Sequence, residues 1–173
     1  MFTNQTIDEL LVKLDNPEMI YYDYIPAVPL AEALQHPADD FKFWTNLPNK
    51  PLRNLYTYMQ QNSLEYLYEP AAEMVANALR HGNKYSICPA PNGDPMKSLS
   101  IKIFKGNNGI LFRVRNEGTG FDYQQMLAQF AEGTTHSANI LGGNGIRMLA
   151  NPDLLVSYED KGRITNLLYL FPK

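Results

Sequence analysis

Leu99-Ser-Ile101-Lys-Ile103-Phe-Lys105-Gly-Asn-Asn-Gly109-Ile110-Leu-Phe112-Arg-Val114 decides the fold. Leu99, Ile101 and Ile103 alternate with Ser98, Ser100 and Lys102. Ile110, Phe112 and Val114 resume the period after a turn-forming Gly-Asn-Asn-Gly, so the stretch is expected to be a β-hairpin. A second strand pair is expected over 154 to 158 and 163 to 171, joined by Glu159-Asp-Lys-Gly162. Upstream, residues 52 to 61 and 63 to 80 read as two helices. Gly82 is the terminator of the second, and Pro70 should kink that helix or delay its start. A further helix is expected from Gly145. Helices before and between antiparallel strand pairs predict an α/β protein. Its form is a two-layer α/β sandwich with a mixed, mostly antiparallel sheet, helices covering one face and the other face partly exposed.

The first fifty residues are less regular. Thr6 caps an apolar stripe from Ile7 to Leu14, and Met19-Ile-Tyr-Tyr-Asp-Tyr-Ile25 reads as a strand rich in β-formers. Pro26, Pro29 and Pro37 then suggest an irregular connection ending near Asn49, with a short helix over 31 to 35. The expected organisation is an extension, residues 1 to 50, packing on a domain formed by 51 to 173. Phe41, Phe43 and Trp44 are expected to pack on that domain rather than to form a partner surface.

Composition narrows the function classes. The 173 residues, 45% hydrophobic and 19% charged, suffice for one core. A net charge of -3 argues against nonspecific nucleic-acid binding, which rests on a basic surface. The single Cys88 has no partner for an internal disulfide, which suits a reducing compartment. No apolar run approaches the roughly 20 residues that span a bilayer, and Met1-Phe-Thr-Asn-Gln-Thr lacks a signal-peptide start, so a cytoplasmic location and no membrane contact are expected.

Three segments carry chemistry. In Glu73-Met-Val-Ala-Asn77-Ala-Leu-Arg80-His81-Gly82, a helix puts Glu73, Asn77 and His81 on one face while Met74, Val75, Ala78 and Leu79 turn to a core. A carboxylate can accept a nucleophile's proton, an amide oxygen can bind Mg²⁺, and a basic group can face phosphate oxygens. A polar helix face is ordinarily solvated surface, and the two glycine segments downstream are what make it a candidate site. Arg115-Asn116-Glu117-Gly118-Thr119-Gly120-Phe121-Asp122 follows a strand, and Leu141-Gly142-Gly143-Asn144-Gly145-Ile-Arg-Met148 opens the later helix. Glycines there let backbone amides approach a phosphate. Neither a P-loop nor a Rossmann fingerprint is present.

In this order and spacing the three segments resemble the N, G1 and G2 boxes of the Bergerat-fold ATPase superfamily, which contains gyrase, the heat-shock chaperone, histidine kinases and the mismatch-repair ATPases. The resemblance covers about residues 50 to 173. A short gap between the last two boxes and no phospho-acceptor histidine helix upstream look most like the anti-sigma-factor serine kinases. The resemblance implies ATP and Mg²⁺ as cofactors, Glu73 as the catalytic base and Asn77 as the metal ligand. It implies that His81 lies near phosphate and that Asn116, Gly118 and Gly120 form the adenine-side loop. Gly142, Gly143, Asn144 and Gly145 would wrap the β/γ-phosphates, and Thr165 would lie beside adenine. Arg80 is a weaker phosphate neighbour, residues 122 to 141 would form a mobile lid, and His136 is an exposed lid residue.

Asn116 departs from the family pattern, which has an aspartate there. An amide can still accept from the adenine amino group but can also flip, so Asn116→Asp is expected to sharpen adenine binding. Two function classes stay open. One is an ATP-dependent serine/threonine protein kinase or ATPase acting on a regulatory protein partner, a sigma factor or an antagonist protein. The other is a nucleotide-dependent or degenerate switch that sequesters such a partner without efficient catalysis. A detached histidine-kinase catalytic domain is a weaker third, and a homodimer is left open.

Overall fold

A computed structural model describes residues 1 to 26, 41 to 78, 97 to 132 and 151 to 172. Its elements are β1 (Phe2–Thr3), α1 (Ile7–Leu11), β2 (Glu18–Ile25), α2 (Phe41–Gln61), a 3-10 turn (Glu65–Leu67), α3 (Tyr68–Asn77), β3 (Leu99–Gly106), β4 (Gly109–Asn116), α4 (Tyr123–Ala131), β5 (Leu154–Glu159) and β6 (Ile164–Leu170). The expected hairpin is β3 and β4, closed by Asn107 and Asn108 with Gly106 opposite Gly109. Both glycines are sites of close approach. A Cβ would lie 2.7 Å from the Asp15 carbonyl oxygen at Gly106 and 2.5 Å from that of Tyr169 at Gly109.

The strand order is β1-β5-β6-β4-β3-β2. Only β1 with β5 is parallel, so the sheet is mixed and mostly antiparallel. Residues 2 to 25 supply both edge strands, so the strands of 51 to 173 are flanked on each side by the preceding segment. Alternation sorts the side chains. Leu99, Ile101, Ile103, Ile110, Phe112, Val114, Val156 and Leu167 face Leu55 and Met59 of α2 and Ala71, Met74 and Val75 of α3 in the main core.

The prolines act differently from the simplest sequence reading. The irregular connection expected to end near Asn49 is a correction: the chain is helical from Phe41, and Pro48 and Pro51 lie within α2. Each proline removes one N–H donor, but the flanking turns still form. Pro70 sits third in α3, and the 3-10 turn before it delays the helix as expected. The expected helix over 31 to 35 and the helix from Gly145 lie outside the described residues.

The other sheet face is half covered. Five residues are too few for a stable isolated helix, so α1 depends on what it touches. A capping box starts it: Thr6 N–H donates to Glu9 Oε2 at 2.7 Å and Glu9 N–H to Thr6 Oγ1 at 3.4 Å. These bonds hold the Glu9 carboxyl below its usual pKa, the Thr6 backbone bond contributing most. Leu10 and Leu14 pack on Leu111 and Leu168 in a second, smaller core, and full burial of each such side chain stabilises by about 1.5–3 kcal/mol.

A polar network marks where that cover stops. Glu159 Oε1 accepts from Arg113 Nη1 at 2.9 Å, Asn166 Nδ2 at 2.6 Å and the Ile7 N–H at 3.2 Å. Arg113 Nη1 also donates to Asn166 Oδ1 at 2.9 Å, and Asn166 Nδ2 to Ser157 Oγ at 3.1 Å. Asn166 and Ser157 are fully buried. Glu159→Ala leaves several of these donors without an acceptor, so a loss of about 1–3 kcal/mol is expected in urea unfolding, with α1 amides exchanging faster. An unchanged unfolding midpoint would show that water replaces the carboxylate without cost.

Candidate functional site

The sheet register, more than any single motif, assembles the site. Val114 pairs with Thr165 and Thr165 with Tyr158, so one row across β4, β6 and β5 faces the helical layer. Asn116, two residues beyond Val114, points to the same side. Above the row lies α3. Its Ala71, Met74, Val75 and neighbouring Ala78 are buried, which leaves Glu73 and Asn77 half-buried at the margin.

Tyr158 was not anticipated among the site residues. The alternation of Leu154, Val156 and Tyr158 was the available signal, since it turns the ring inward beside Thr165. Its ring meets Phe2, Phe121 and Tyr123 at centroid distances of 6.3, 5.5 and 5.4 Å. Burial pushes the Tyr158 hydroxyl pKa well up, and the Glu73 carboxylate adds to the rise. Tyr158 therefore stays protonated at neutral pH, within electrostatic reach of Glu73.

The first glycine segment is tied to the β5–β6 turn. Asn116 is 2% exposed, and its Nδ2 donates to the Arg163 carbonyl oxygen at 3.0 Å, as its backbone N–H does at 2.9 Å. Its Oδ1 accepts from the Gly118 N–H at 3.0 Å. Gly120, at φ +73°, would place a Cβ 2.1 Å from the Lys161 carbonyl oxygen, and the next residue, Phe121, donates its N–H to that oxygen at 3.0 Å. Gly162, at φ +77°, packs against Phe121. These contacts give Gly120 a structural reason to be glycine that is independent of phosphate approach. Thr165 is 7% exposed.

The start of the expected lid is ordered. Asp122 Oδ1 caps α4 by accepting from the Gln125 N–H at 3.0 Å, and Tyr123 and Met126 pack on the main core. A cleft of about 600 Å³ lies between residues 119 to 124 and Lys161. Arg80, His81, His136, Gly142, Gly143, Asn144, Gly145 and the rest of the lid lie outside the described residues. The structure thus brings together Glu73, Tyr158 and Thr165, with Asn116, Gly118 and Gly120 at the strand end.

Among the described residues no three His, Cys, Asp or Glu side chains gather as a metal site, and no helix is long and apolar enough to cross a membrane. No family model matches the chain, and no curated protein matches it.

The amide of Asn116 gives a direct test. Asn116→Asp puts a carboxylate oxygen where Nδ2 lies 3.0 Å from the Arg163 carbonyl oxygen, a repulsion that raises the aspartate pKa in the folded state. A raised carboxyl is stabilising below its unfolded pKa of about 3.9, and that contribution is lost as pH rises through the folded value. Urea unfolding at pH 7 should therefore show Asn116→Asp about 1–3 kcal/mol below the parent, with a smaller gap at pH 4. Equal stability at pH 7 would contradict the hydrogen bond. The tighter adenine binding expected of this variant is opposed by the same structural cost.

Proposed function

We propose that the protein is an ATP-binding regulatory protein of the Bergerat superfamily, resembling an anti-sigma-factor serine/threonine kinase. Its action would be transfer of the ATP γ-phosphoryl group to a serine or threonine of a partner such as a sigma factor or an antagonist protein. One observation carries this reading. Glu73 is half-buried on α3 within electrostatic reach of Tyr158, over the sheet row that holds Thr165, beside the strand end of Asn116. The order of the three boxes in the sequence supports it, as does the α/β layering.

The described residues suit such a ligand. Glu73 and Asn77 are half-buried, so each combines a defined position with access from outside. Mg-ATP would supply the transferable phosphoryl group and a cation to balance its charge. Glu73 serves as the base that accepts the proton of the attacking hydroxyl, and Asn77 offers its side-chain oxygen to Mg²⁺. The rings of Phe2, Phe121 and Tyr123 pack around Tyr158, whose hydroxyl is within electrostatic reach of Glu73. Once the strand end opens, Asn116 has one N–H and one lone pair beyond its present bonds for an adenine edge, and Thr165 adds a hydroxyl. By the resemblance, His81, Gly142, Gly143, Asn144 and Gly145 would supply the phosphate contacts.

The engaged amide of Asn116 favours a second reading. With both amide atoms already bonded and the residue 2% exposed, base recognition requires the strand end to open. A switch that grips a partner and turns over slowly or not at all fits that constraint.

Calorimetry with Mg-ATP and Mg-ADP, followed by intact-mass analysis of candidate partners, tests both readings. Asn77→Ala should weaken Mg-nucleotide binding about tenfold or more, whereas Glu73→Gln should leave binding within about twofold and slow transfer by roughly 100-fold. A phosphate mass on the partner supports the kinase, and a stable complex without it supports the switch. No nucleotide binding at millimolar concentration, or equal and negligible effects of both substitutions, would overturn the ATP-binding reading.

A further inference from the structure

Beyond the reach of α1, the second sheet face is open among the described residues. The register sets two rows there across β2, β3 and β4: Tyr22, Lys102 and Arg113, then Tyr24, Ser100 and Arg115. With Ser98 and Glu117 they line a recess of about 350 Å³. This side is separate from Glu73, because alternation turns these side chains away from the main core.

Three features of the recess lack a structural explanation. First, Lys102 and Arg113 are directly opposed across two strands, a like-charge pair that destabilises a sheet. Arg113 is balanced by Glu159, but neither Lys102 nor Arg115 forms an ion pair among the described residues. Arg115 is within electrostatic reach of Asp160, whose own carboxylate is bonded to Arg163. Second, Tyr22 and Tyr24 are 55% and 50% exposed, and the Lys102 ammonium lies 5.6 Å from the Tyr22 ring centroid. Third, Ser98 is 2% exposed, yet its hydroxyl has no hydrogen bond among the described residues. Buried hydroxyls ordinarily have partners.

The chemistry that answers all three is an anion joined to a flat ring. A phosphate accepts from an ammonium and a guanidinium together through charge-assisted hydrogen bonds, and its negative charge beside Lys102 offsets the Lys102–Arg113 repulsion. An exposed tyrosine ring offers a stacking surface whose use does not depend on which base lies on it. Tyr24 and Arg115 lie in one row two strand spacings apart, about 10 Å, and the two tyrosines are about 7 Å apart along β2. Ser98 can donate to the anion, and Glu117 at the rim can accept from a ring N–H or a sugar hydroxyl. We propose that this recess binds a phosphate carried beside a planar ring, the chemistry of a nucleoside monophosphate, with the phosphate on the two cations that lack an ion pair among the described residues, Lys102 and its diagonal neighbour Arg115, and the ring on Tyr22 or Tyr24. The protein's net charge of -3 keeps such binding local to the recess rather than spread over a basic surface.

Adenosine 5′-monophosphate titrated into ¹⁵N-labelled full-length protein in EDTA tests this without Mg²⁺, and so apart from the proposed ATP site. Saturable amide shifts confined to residues 22 to 24, 98 to 102 and 113 to 117 are expected. Lys102→Gln with Arg115→Gln should weaken binding at least tenfold, as should Tyr22→Ala with Tyr24→Ala, while Asn77→Ala leaves it unchanged. Thermal unfolding checks that each variant folds, and Lys102→Gln and Tyr24→Ala alone, expected to weaken binding about threefold each, replace any pair that does not. A hexauridylate binding more than tenfold tighter than the mononucleotide would identify a single strand as the source, and similar affinity would identify the free nucleotide; both support the proposal. Absence of shifts at 10 mM (roughly the weakest binding of interest, about 3 kcal/mol), shifts centred on Glu73, Asn116 and Thr165, or equal binding by inorganic phosphate alone would overturn it.

Discussion

The carbonyl of Arg163 accepts from both the backbone and the side chain of Asn116, and this pair of hydrogen bonds fixes the end of β4 to the turn after β5. That turn carries three successive left-handed residues: Asp160, Lys161 and Gly162 at φ +52°, +55° and +77°. Two of them are not glycine, so the conformation carries a cost that surrounding contacts must offset. The offsets are visible. Arg163 bonds to Asp160 and holds its carboxyl below the usual range, while the Lys161 carbonyl accepts from Phe121. Loosening Asn116 would release the turn, the loop through Gly120 and the seat of α4 together. It would also disturb the ring cluster that surrounds Tyr158.

The sheet divides its two sides between different kinds of physics. On the helical side, aliphatic burial positions α3 and leaves a carboxylate and an amide at its edge. On the far side, a short capped helix is held by four leucines and one glutamate, and cation-bearing rows are left beyond it. Glu159 separates the two territories. A carboxylate that accepts three hydrogen bonds can neutralise Arg113 and hold the first turn of α1 at once.

Much of the layering was legible in the sequence because period-2 and helical patterns compete with nothing else between 98 and 116 or between 154 and 170. Leu99 to Val114 alternates as the pleat requires, and Thr6 with Glu9 marks the start of α1. Pattern could not show that α2 begins at Phe41, since Pro48 and Pro51 read locally as breakers and the helix persists across both. Nor could it show that Phe2 and Glu18 begin opposite edge strands, because pairing partners are set by tertiary contacts rather than by composition. At the candidate site, helical spacing together with the two glycine segments downstream marked Glu73 and Asn77. The engagement of Asn116 with Arg163 was hidden, because it depends on a register between strands far apart in sequence. Gly120 shows a related ambiguity: left-handed backbone and a close carbonyl leave the same sequence trace as a phosphate-binding loop.

The two edges of the sheet have a kinetic meaning. β1 pairs in parallel with β5, and Phe2 meets Val156 nearly the whole sequence away. During synthesis the residues that finish the sheet on that side emerge long before Val156 and Ser157 and must stay unpaired until those are made. Until then β1 has no strand to pair with, and β4 has a bare flank where β6 will lie. Long-range closure of this kind slows folding and leaves a strand edge open to other chains in the meantime. The pairing of Phe2 and Thr3 with Val156 and Ser157 is then the last fastening of a sheet whose outer strand on that side docks late.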